Sequence, residues 1–276
     1  MKDNLENKRI LKFFPADKNN LNILSSKQID NFNLNGYISP LNVFSYEEIT
    51  RISEYFDELI SKAREKGHDD YAINGWHRYC SGIYNIMMNP IILDYVSDLI
   101  GNNILNLMTH LFFKDSKSEK QVCWHQDASY WPLTPSKTIT IWLAIDDVNE
   151  QNGAMQFVSG SHLFGQIPFS NSKDHENNVL NQTVHNPEKW GKETVNNSLK
   201  AGQISIHSDL LLHGSKVNNS TMRRRGLTLR YMPPDVKINN LDFFKRKKAF
   251  LCKGENVGKY WDIDDIPCGE NIPDVN

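Results

Sequence analysis

The stretch CWHQDASYWPL, residues 123–133, places His125 and Asp127 two positions apart within the β-rich half of the chain. On a strand, side chains at positions i and i+2 project from the same face, so an imidazole and a carboxylate can converge on one metal ion. A His-x-Asp pair also arises often by chance, and either side chain would serve in a hydrogen-bond network. A metal site therefore requires a third ligand from elsewhere in the chain.

Strand-forming sequence surrounds this stretch on both sides. Short runs of β-branched and aromatic residues, divided by Gly, Asn, Asp and Pro, extend from Asn103 to Pro234. Many short strands are typical of a sandwich or barrel. A chain of 276 residues accommodates such a fold as one domain, here with a core at about residues 36–234. The clearest runs are ILNLMTHLFF (104–113), KTITIWLAI (137–145), AMQFVSG (154–160), GQISI (202–206) and GLTLRYM (226–232).

Two amphipathic helices are predicted before the β-rich region. The sequence SYEEITRISEYFDELISKAREKG, residues 45–67, repeats apolar residues at helical spacing after Ser45, a candidate N-cap with Glu48 three positions later. The segment NPIILDYVSDLIG, residues 89–101, has a proline at its second position and ends on a glycine, as helices commonly do. Residues 1–30, rich in Lys and Asn, are expected to form a surface arm or a first strand.

Two further segments depart from this pattern. Residues 165–200 are polar, rich in asparagine and longer than most loops of compact domains, so we expect a lid or a disordered insertion. The C-terminal extension, residues 240–276, contains a basic run at residues 245–248 beside aromatic and aliphatic residues. We interpret this run as a solvated face next to an apolar anchor rather than a phosphate or nucleic-acid site.

The composition favours a small-molecule partner. Lys and Arg number 31 against 33 Asp and Glu, and the formal charge of −2 gives no general attraction to nucleic acid or anionic membrane. No apolar stretch approaches the roughly 20 residues of a membrane span, and the N-terminus lacks the pattern of a secretory signal. The four cysteines are widely spaced without a Cys-x-x-Cys pair, so a cytoplasmic protein with reduced thiols is expected. The oligomeric state stays open.

A third metal ligand is available in HSDLLLHGSKVNNSTMRRRGLTLRYMP, residues 207–233. His213, followed by Gly-Ser and then by three arginines, completes a set of two histidines and one carboxylate. This is the facial triad of non-haem Fe(II) oxygenases, which leaves coordination positions open. 2-Oxoglutarate chelates through its keto acid end, and its distal carboxylate needs a buried cation such as a guanidinium. His207 competes as a ligand, but it lacks this context and we interpret it as a structural or turn histidine.

These motifs resemble the phytanoyl-CoA dioxygenase family of Fe(II)- and 2-oxoglutarate-dependent oxygenases. The resemblance is strong from about Val122 to Pro234, weaker over the helices from Gly36, and absent in both tails. The strings that carry it are HQDASYWPLTPS (125–136), NGAMQFVSGSH (152–162) and HGS (213–215), with Asn218 and an arginine eleven residues after His213.

The resemblance implies a mainly β fold with flanking α-helices, namely a double-stranded β-helix or jelly-roll barrel. It also implies Fe(II) as the metal, with 2-oxoglutarate and O2 as co-substrates. Arg224 would hold the distal carboxylate of 2-oxoglutarate, and Ser215 and Trp142 would line the same pocket. The implied metal ligands are His125, Asp127 and His213.

Three neighbouring arginines compete for the anchoring role. Arg223 and Arg225 could instead be solvated, whereas alternation on the strand RGLTLRY supports Arg224. Alternation places Arg224, Thr228 and Arg230 on one face of this strand and leaves its Leu and Tyr side chains on the other. The first face is the one expected to line the barrel.

Arg230 is therefore predicted to enter the site and to help hold the substrate, for instance through an anionic group. The alternative is a pairing of Arg230 with a structural carboxylate such as Asp146 or Asp147. Trp131 is expected to be either a core residue or a wall of the substrate pocket.

The predicted reaction is oxidation of a small molecule in biosynthetic tailoring or catabolism. By the resemblance, relatives that replace the carboxylate ligand with Ala or Gly accept chloride there, whereas this sequence keeps Asp127. Hydroxylation is therefore expected first, with desaturation or cyclisation also within reach. The alternative is a non-catalytic metal-binding jelly roll that acts as a ligand sensor or structural module. Arg224 favours the enzyme, because such a barrel has no use for a buried cation near the third ligand.

Overall fold

The computed structural model describes residues 9–69, 71, 73–240 and 247–275. A seven-stranded sheet, antiparallel except at its last pair, forms the larger layer. Its strands, in spatial order, are β1 (Tyr37–Asn42), β10 (Gln203–Ser208), β5 (Ile139–Ala144), β12 (Arg224–Met232), β2 (Ile104–Lys114), β14 (Lys248–Lys253) and β15 (Asp262–Ile263).

A four-stranded antiparallel sheet forms the second layer and completes the jelly roll. This architecture confirms the predicted mainly β fold, and all five of the quoted β-rich runs contain a strand. The strands of the smaller sheet are β3 (Val122–His125), β11 (His213–Ser215), β6 (Met155–Val158) and β9 (Thr194–Asn197). Two short pairs are β4 (Leu133–Thr134) with β13 (Lys237–Ile238), and β7 (Ser170–Asn171) with β8 (Gln182–Thr183).

Both predicted helices are confirmed, and α2 begins at the predicted cap. Ser45 accepts a hydrogen bond from the backbone of Glu48, and the Glu48 carboxylate accepts one from the backbone of Ser45. The α-helices are α1 (Ser26–Asn35), α2 (Tyr46–Glu65), α3 (Ser81–Met87), α4 (Pro90–Ile100) and the single turn α5 (Asp127–Tyr130). Short 3-10 helices occur at Trp76–Arg78, Ser161–Phe164, Asp174–Glu176, Pro187–Trp190 and Val257–Lys259.

The expectation of an arm or first strand before residue 30 is wrong for its last part, where α1 begins. The same capping box marks its start: Ser25 accepts from the backbone of Gln28, and Gln28 accepts from the backbone of Ser25. This Ser-x-x-Gln signal was present in the sequence. The helix buries Ile29 and Phe32 against the core.

The two faces of the larger sheet differ in chemistry. On β5, Ile141 and Leu143 pack against the helices, while Thr140 and Trp142 line an internal cavity. The same alternation on β12 sends its Leu and Tyr side chains toward the helices and its polar side chains toward the cavity, as predicted.

Arg225 joins α2 to the larger sheet. Its side chain is fully buried and donates to Asp146 at 2.7 Å and to Asp57 at 2.9 Å. The more exposed Arg223 donates to both oxygens of Asp57 at 2.6 and 2.9 Å. Neither arginine is a free solvated cation, because each is paired with carboxylates.

Two segments are more ordered than the sequence indicated. Residues 165–200 hold β7, β8 and β9, and β9 is an edge strand of the smaller sheet beside β6. The C-terminal extension supplies β14, which pairs with β2. Of the basic run, Lys245 and Arg246 lie outside the described residues, whereas Lys248 begins β14 and lies 3.4 Å from Asp264. The strands within residues 165–200 are short and polar, so they lack the apolar alternation that identifies a strand in sequence.

No helix in the described part of the chain is long and apolar enough to cross a membrane. The four cysteines are free, as expected: Cys80 and Cys252 are buried, Cys123 is half-buried and Cys268 is exposed.

Asp98, buried on α4, fastens the segment before α1. Its carboxylate accepts hydrogen bonds from the backbone amides of Asn22, Ile23 and Leu24 at 2.7, 2.9 and 2.7 Å. Hydrogen bonds to a charged acceptor are each worth about 1.5–3 kcal/mol. This carboxylate therefore holds the N-terminal segment against the helical layer.

We expect Asp98→Ala to lower the free energy of unfolding by about 3 kcal/mol, because three backbone amides, that of buried Leu24 among them, lose their acceptor. The matched control is Asp94→Ala on the same helix, whose exposed ion pair with Lys253 should contribute less than about 1 kcal/mol. Urea denaturation followed by circular dichroism measures both variants. Equal losses in the two variants would contradict the role of Asp98.

Candidate active site

A cavity of about 480 Å³ lies between the two sheets, lined by side chains from β2, β5, β10 and β12 on one side and from β3, β11 and α5 on the other. All eight residues predicted to form the site line this cavity. They are His125, Asp127, Trp131, Trp142, His213, Ser215, Arg224 and Arg230.

His125, Asp127 and His213 form a buried cluster in which one ligand atom from each lies within 4.8 Å of the others. Across the described ranges, it is the one cluster of His, Cys, Asp and Glu that could hold a metal ion. His125 ends β3 and His213 begins β11, and the two residues are direct partners across the strand pair.

Asp127 differs from its predicted placement, because it begins α5 and does not lie on a strand. The strand ends at His125, but Gln126 keeps extended dihedral angles of φ −112° and ψ 132°. The alternation expected of a strand therefore continues through Gln126, and both side chains still reach the same point.

Each histidine of the cluster is oriented by its own backbone. Nδ1 of His125 donates to the carbonyl of Cys123 at 2.8 Å, and Nδ1 of His213 donates to the carbonyl of Leu211 at 2.9 Å. Both Nε2 atoms thus keep a lone pair for a metal. Burial lowers the pKa of His125 to about 3 and that of His213 to about 4, so both are neutral at pH 7.

Asp127 stays ionised although it is buried. Burial alone would raise its pKa, but the guanidinium of Arg230 and the nearby imidazoles outweigh burial and hold the pKa well below its usual value. Oδ2 accepts a hydrogen bond from Thr140 at 2.7 Å, and Oδ1 lies 4.0 Å from Nη2 of Arg230. Two neutral imidazoles and one carboxylate are the donor set that suits Fe(II), so the residues fit this metal.

His207, interpreted from the sequence as a structural or turn histidine, lies on a strand and lines the cavity, so the turn is wrong. It is a buried residue of β10, and its ring centre is 4.5 Å from that of His213. Its Nε2 lies 3.6 Å from Oδ2 of Asp127, and neither ring nitrogen has a hydrogen-bond partner. The sequence signal was strand alternation: His207 is two positions from Ser205, so both point to the face opposite Ile206, which packs against the helices.

Arg224, Ser215 and Trp142 meet at one end of the cavity. Nη2 of Arg224 donates to the carbonyl of Gly153 at 2.8 Å and to Oγ of Ser215 at 3.3 Å. The guanidinium lies over the Trp142 ring, 5.5 Å from its centre, and its Nε has no partner. Burial lowers the pKa of Arg224 to about 10, so it remains a cation at pH 7.

Lys114, which was not predicted from the sequence, shares this end of the site. It ends β2 directly opposite Arg224, and its Nζ donates to Oγ of Ser215 at 2.8 Å. Burial and the charge of Arg224 lower the pKa of Lys114 to about 6. No carboxylate among the described residues lies within 4.0 Å of Lys114 or Arg224. The signal was a lysine at the end of a strand sequence that contains no other Lys, Arg, Asp or Glu.

Arg230 and Trp131 meet at the other end of the cavity. Nη1 of Arg230 donates to Oγ1 of Thr228 at 2.8 Å, its guanidinium lies 5.0 Å from the Trp131 ring centre, and its Nε has no partner. Pairing of Arg230 with Asp146 or Asp147 does not occur, because Asp146 binds Arg225 and Asp147 binds Lys200. Trp131 packs in a core cluster and also forms part of the cavity wall.

Residues 165–184 cover the strand that carries His125. The backbone amide of Ile167 donates to Oε1 of Gln126 at 2.7 Å, and that of Val184 donates to the carbonyl of Trp124 at 2.7 Å. Leu180 reaches the cavity. This segment is therefore one wall of the site.

Comparisons with known proteins agree with this geometry. The family model described as phytanoyl-CoA dioxygenase (PhyH) matches residues 32–226. A probable alpha-ketoglutarate-dependent hypophosphite dioxygenase of Stutzerimonas stutzeri is 27% identical over 73% of this chain and 76% of its own length. A probable phytanoyl-CoA dioxygenase of Caenorhabditis elegans is 26% identical over 78% and 77%. The solved structure of the non-heme monooxygenase ThoJ superposes with a TM-score of 0.74 at 25% identity, over 87% and 88% of the chains.

The family match covers well over half of the chain and includes all three residues of the metal cluster. It favours an enzyme over a non-catalytic metal-binding barrel. The chain belongs to the phytanoyl-CoA dioxygenase family, whose members are Fe(II)- and 2-oxoglutarate-dependent dioxygenases.

Proposed function

We propose that His125, Asp127 and His213 bind the Fe(II) at which this dioxygenase oxidises its small-molecule substrate. The observation that carries this proposal is the convergence of two neutral imidazoles and one ionised carboxylate on a buried point that faces a cavity. A set of three protein ligands leaves positions for a chelating co-substrate and O2. When bound, Fe(II) supplies the activation of O2 that is coupled to the conversion of 2-oxoglutarate to succinate and CO2.

The 2-oxoglutarate site is proposed at the Arg224 end of the cavity. Arg224 would bind the distal carboxylate, Ser215 would donate or accept a hydrogen bond beside it, and Trp142 would cover the guanidinium. Lys114 adds a further hydrogen-bond donor through its contact with Ser215. A buried guanidinium without a carboxylate neighbour among the described residues supports an anionic ligand here, because buried charges are normally paired.

The proposed reaction is hydroxylation, with desaturation or cyclisation as further outcomes of the same oxidation. It is supported by Asp127, which occupies the carboxylate position of the ligand set. The chain's own contribution is to bind and orient the substrate and to exclude water from the cavity. Relatives named for hypophosphite and for ectoine support a small-molecule substrate. We keep a cytoplasmic location as a prediction, supported by the free cysteines.

We also propose that residues 165–200 form a lid. The side chain of Gln182 accepts a hydrogen bond from the Ser129 hydroxyl, and the backbone amide of Gln182 donates to the Tyr130 hydroxyl at 3.1 Å. The β7–β8 hairpin therefore lies against α5. A segment that borders an active-site cavity and is held through a few polar contacts can gate access.

The metal site predicts that one Fe(II) binds per chain and that His125→Ala and His213→Ala lose it, because a nitrogen ligand is removed. The matched control is His207→Ala. His207 lies as close to Asp127 as His125 does but is outside the cluster, so this variant should retain the metal. Anaerobic dialysis followed by metal analysis measures the stoichiometry. Loss of iron in His207→Ala with retention in His213→Ala would assign the third ligand to His207.

The co-substrate site predicts that Arg224→Gln raises the Kd of 2-oxoglutarate at least tenfold, because a charge-assisted hydrogen bond of about 1.5–3 kcal/mol is lost. The matched control is Arg223→Gln, an exposed neighbour paired with Asp57, which should stay within twofold of the wild type. Calorimetric titration of the Ni(II)-loaded protein measures both values. An unchanged Kd in Arg224→Gln would move the anchor elsewhere.

The lid predicts that trypsin cleavage between Asn171 and Lys192 slows when metal, 2-oxoglutarate and substrate are all bound, because closure orders the backbone. The basic residues Lys173 and Lys189 lie in this segment, and exposed Lys62 on α2 serves as the internal control site. Mass spectrometry of timed digests measures the rates. Equal cleavage of the free and loaded protein would leave this segment as an insertion without a gating role.

A further inference from the structure

We propose that the substrate of this enzyme carries a compact anionic group, a carboxylate or a phosphorus oxyanion, which Arg230 binds inside the cavity. This inference rests on the proposed function, because it treats the Arg224 end of the cavity as the 2-oxoglutarate site. It adds the chemical class of the substrate and the residue that selects it.

The two cavity arginines are held in the same manner. Each guanidinium lies over an indole ring, Trp142 for Arg224 and Trp131 for Arg230, at 5.5 and 5.0 Å. Each donates to one hydroxyl, and each has an Nε without a partner. A guanidinium fixed by neutral contacts, with free N–H groups toward a cavity, is prepared for an oxyanion.

The free edge of Arg230 is the one that binds oxyanions through two hydrogen bonds. Nη1 is occupied by Thr228, whereas Nε has no partner and Nη2 lies 4.0 Å from Asp127, beyond hydrogen-bond distance. Nε–H and one Nη2–H point along the same edge of the guanidinium, the fork that matches two oxygens of a carboxylate or phosphonate. The side chain is only 7% exposed, so water does not satisfy this edge freely.

The charges of the cavity leave an excess of one cation. Of the Arg, Lys, Asp and Glu side chains that line it within the described ranges, Arg224 and Arg230 are positive and Asp127 is negative. The two charges of Fe(II) and the two of 2-oxoglutarate would cancel. An uncompensated cation in a buried site is costly, and a monoanionic substrate would balance it.

Asp127 does not remove the need for this anion. Its Oδ1 is the nearest negative atom to Arg230, at 4.0 Å, and its Oδ2 already accepts from Thr140. As a metal ligand, the carboxylate would share its charge with a divalent ion. Arg230 would then lack a counterion until the substrate arrives.

The two arginines are too far apart to hold the same small anion group. They are six positions apart on β12, which corresponds to about 20 Å along a strand. Met108 lies directly opposite Arg230 on β2, and Trp131 covers the guanidinium. The anionic group would therefore lie beside Met108 and Trp131 in a recess shielded from solvent, where a charge-assisted pair strongly discriminates against a neutral analogue.

The test measures binding without turnover. The protein is first saturated with Ni(II) and 2-oxoglutarate, and both affinities are recorded for every variant by calorimetry. The probes are acetate and acetamide, butyrate and butyramide, benzoate and benzamide, and methylphosphonate. Each carboxylate has nearly the shape of its amide, so a pair isolates the effect of charge.

We expect at least one anion to bind the wild-type complex tenfold or more tightly than its amide, and Arg230→Gln to remove this preference. The Kd of 2-oxoglutarate should stay within threefold in Arg230→Gln, because Arg224 lies six positions away on β12. Arg223→Gln, a charge change outside the cavity, should keep the wild-type preference. Arg230→Lys should give an intermediate anion affinity, because it keeps the charge and loses the two-donor edge.

Three outcomes overturn the inference while the proposed function stands: no anion binds the loaded wild type, anions and amides bind equally, or Arg230→Gln keeps the preference. The last outcome would mean that the anion binds the metal. If Arg230→Gln does not fold, the inference is tested by the anion affinity of Arg230→Lys and by the preference of the wild type for each carboxylate over its amide. Failure of the wild type to bind Ni(II) or 2-oxoglutarate would instead refute the proposed function.

Discussion

Strand alternation in the larger sheet is the constraint on which the site depends. Both faces of this sheet are covered, one by helices and one by the smaller sheet, so each strand must supply two kinds of surface. On β5, Leu143 and Trp142 are adjacent in sequence and belong to opposite surfaces. A shift of one residue in the pairing of β12 with β5 would exchange the two sets and bury Arg224 and Arg230 among the helices.

Burial of charge on the cavity face has a cost that neutral partners offset only in part. The carbonyl of Gly153 and the hydroxyls of Ser215 and Thr228 accept hydrogen bonds from the two guanidiniums. These contacts fix the orientation of each cation and leave its charge uncompensated. A site held in this way before ligands arrive loses little conformational entropy on binding.

Much of this arrangement could be predicted from the sequence, because it depends on local patterns. The cap at Ser45, the alternation of RGLTLRY and the His-x-Asp pair each concern residues close in the chain. His207 and Lys114 could not be placed in the same way, because their roles come from register: Lys114 is opposite Arg224, and β10 lies beside β5. The strands within residues 165–200 were missed because polar edge strands lack an apolar face.

The three consecutive arginines show how register distributes one residue type among different roles. Arg225 points to the helices and is neutralised by Asp57 and Asp146, which fixes the start of β12 against α2. Arg224, one position earlier, must then point into the cavity, where no carboxylate among the described residues pairs with it. Gly226 leaves room for the Trp142 ring that covers Arg224, because a Cβ at position 226 would lie 1.9 Å from that ring. The paired arginine thus holds in place the strand on which the unpaired one depends.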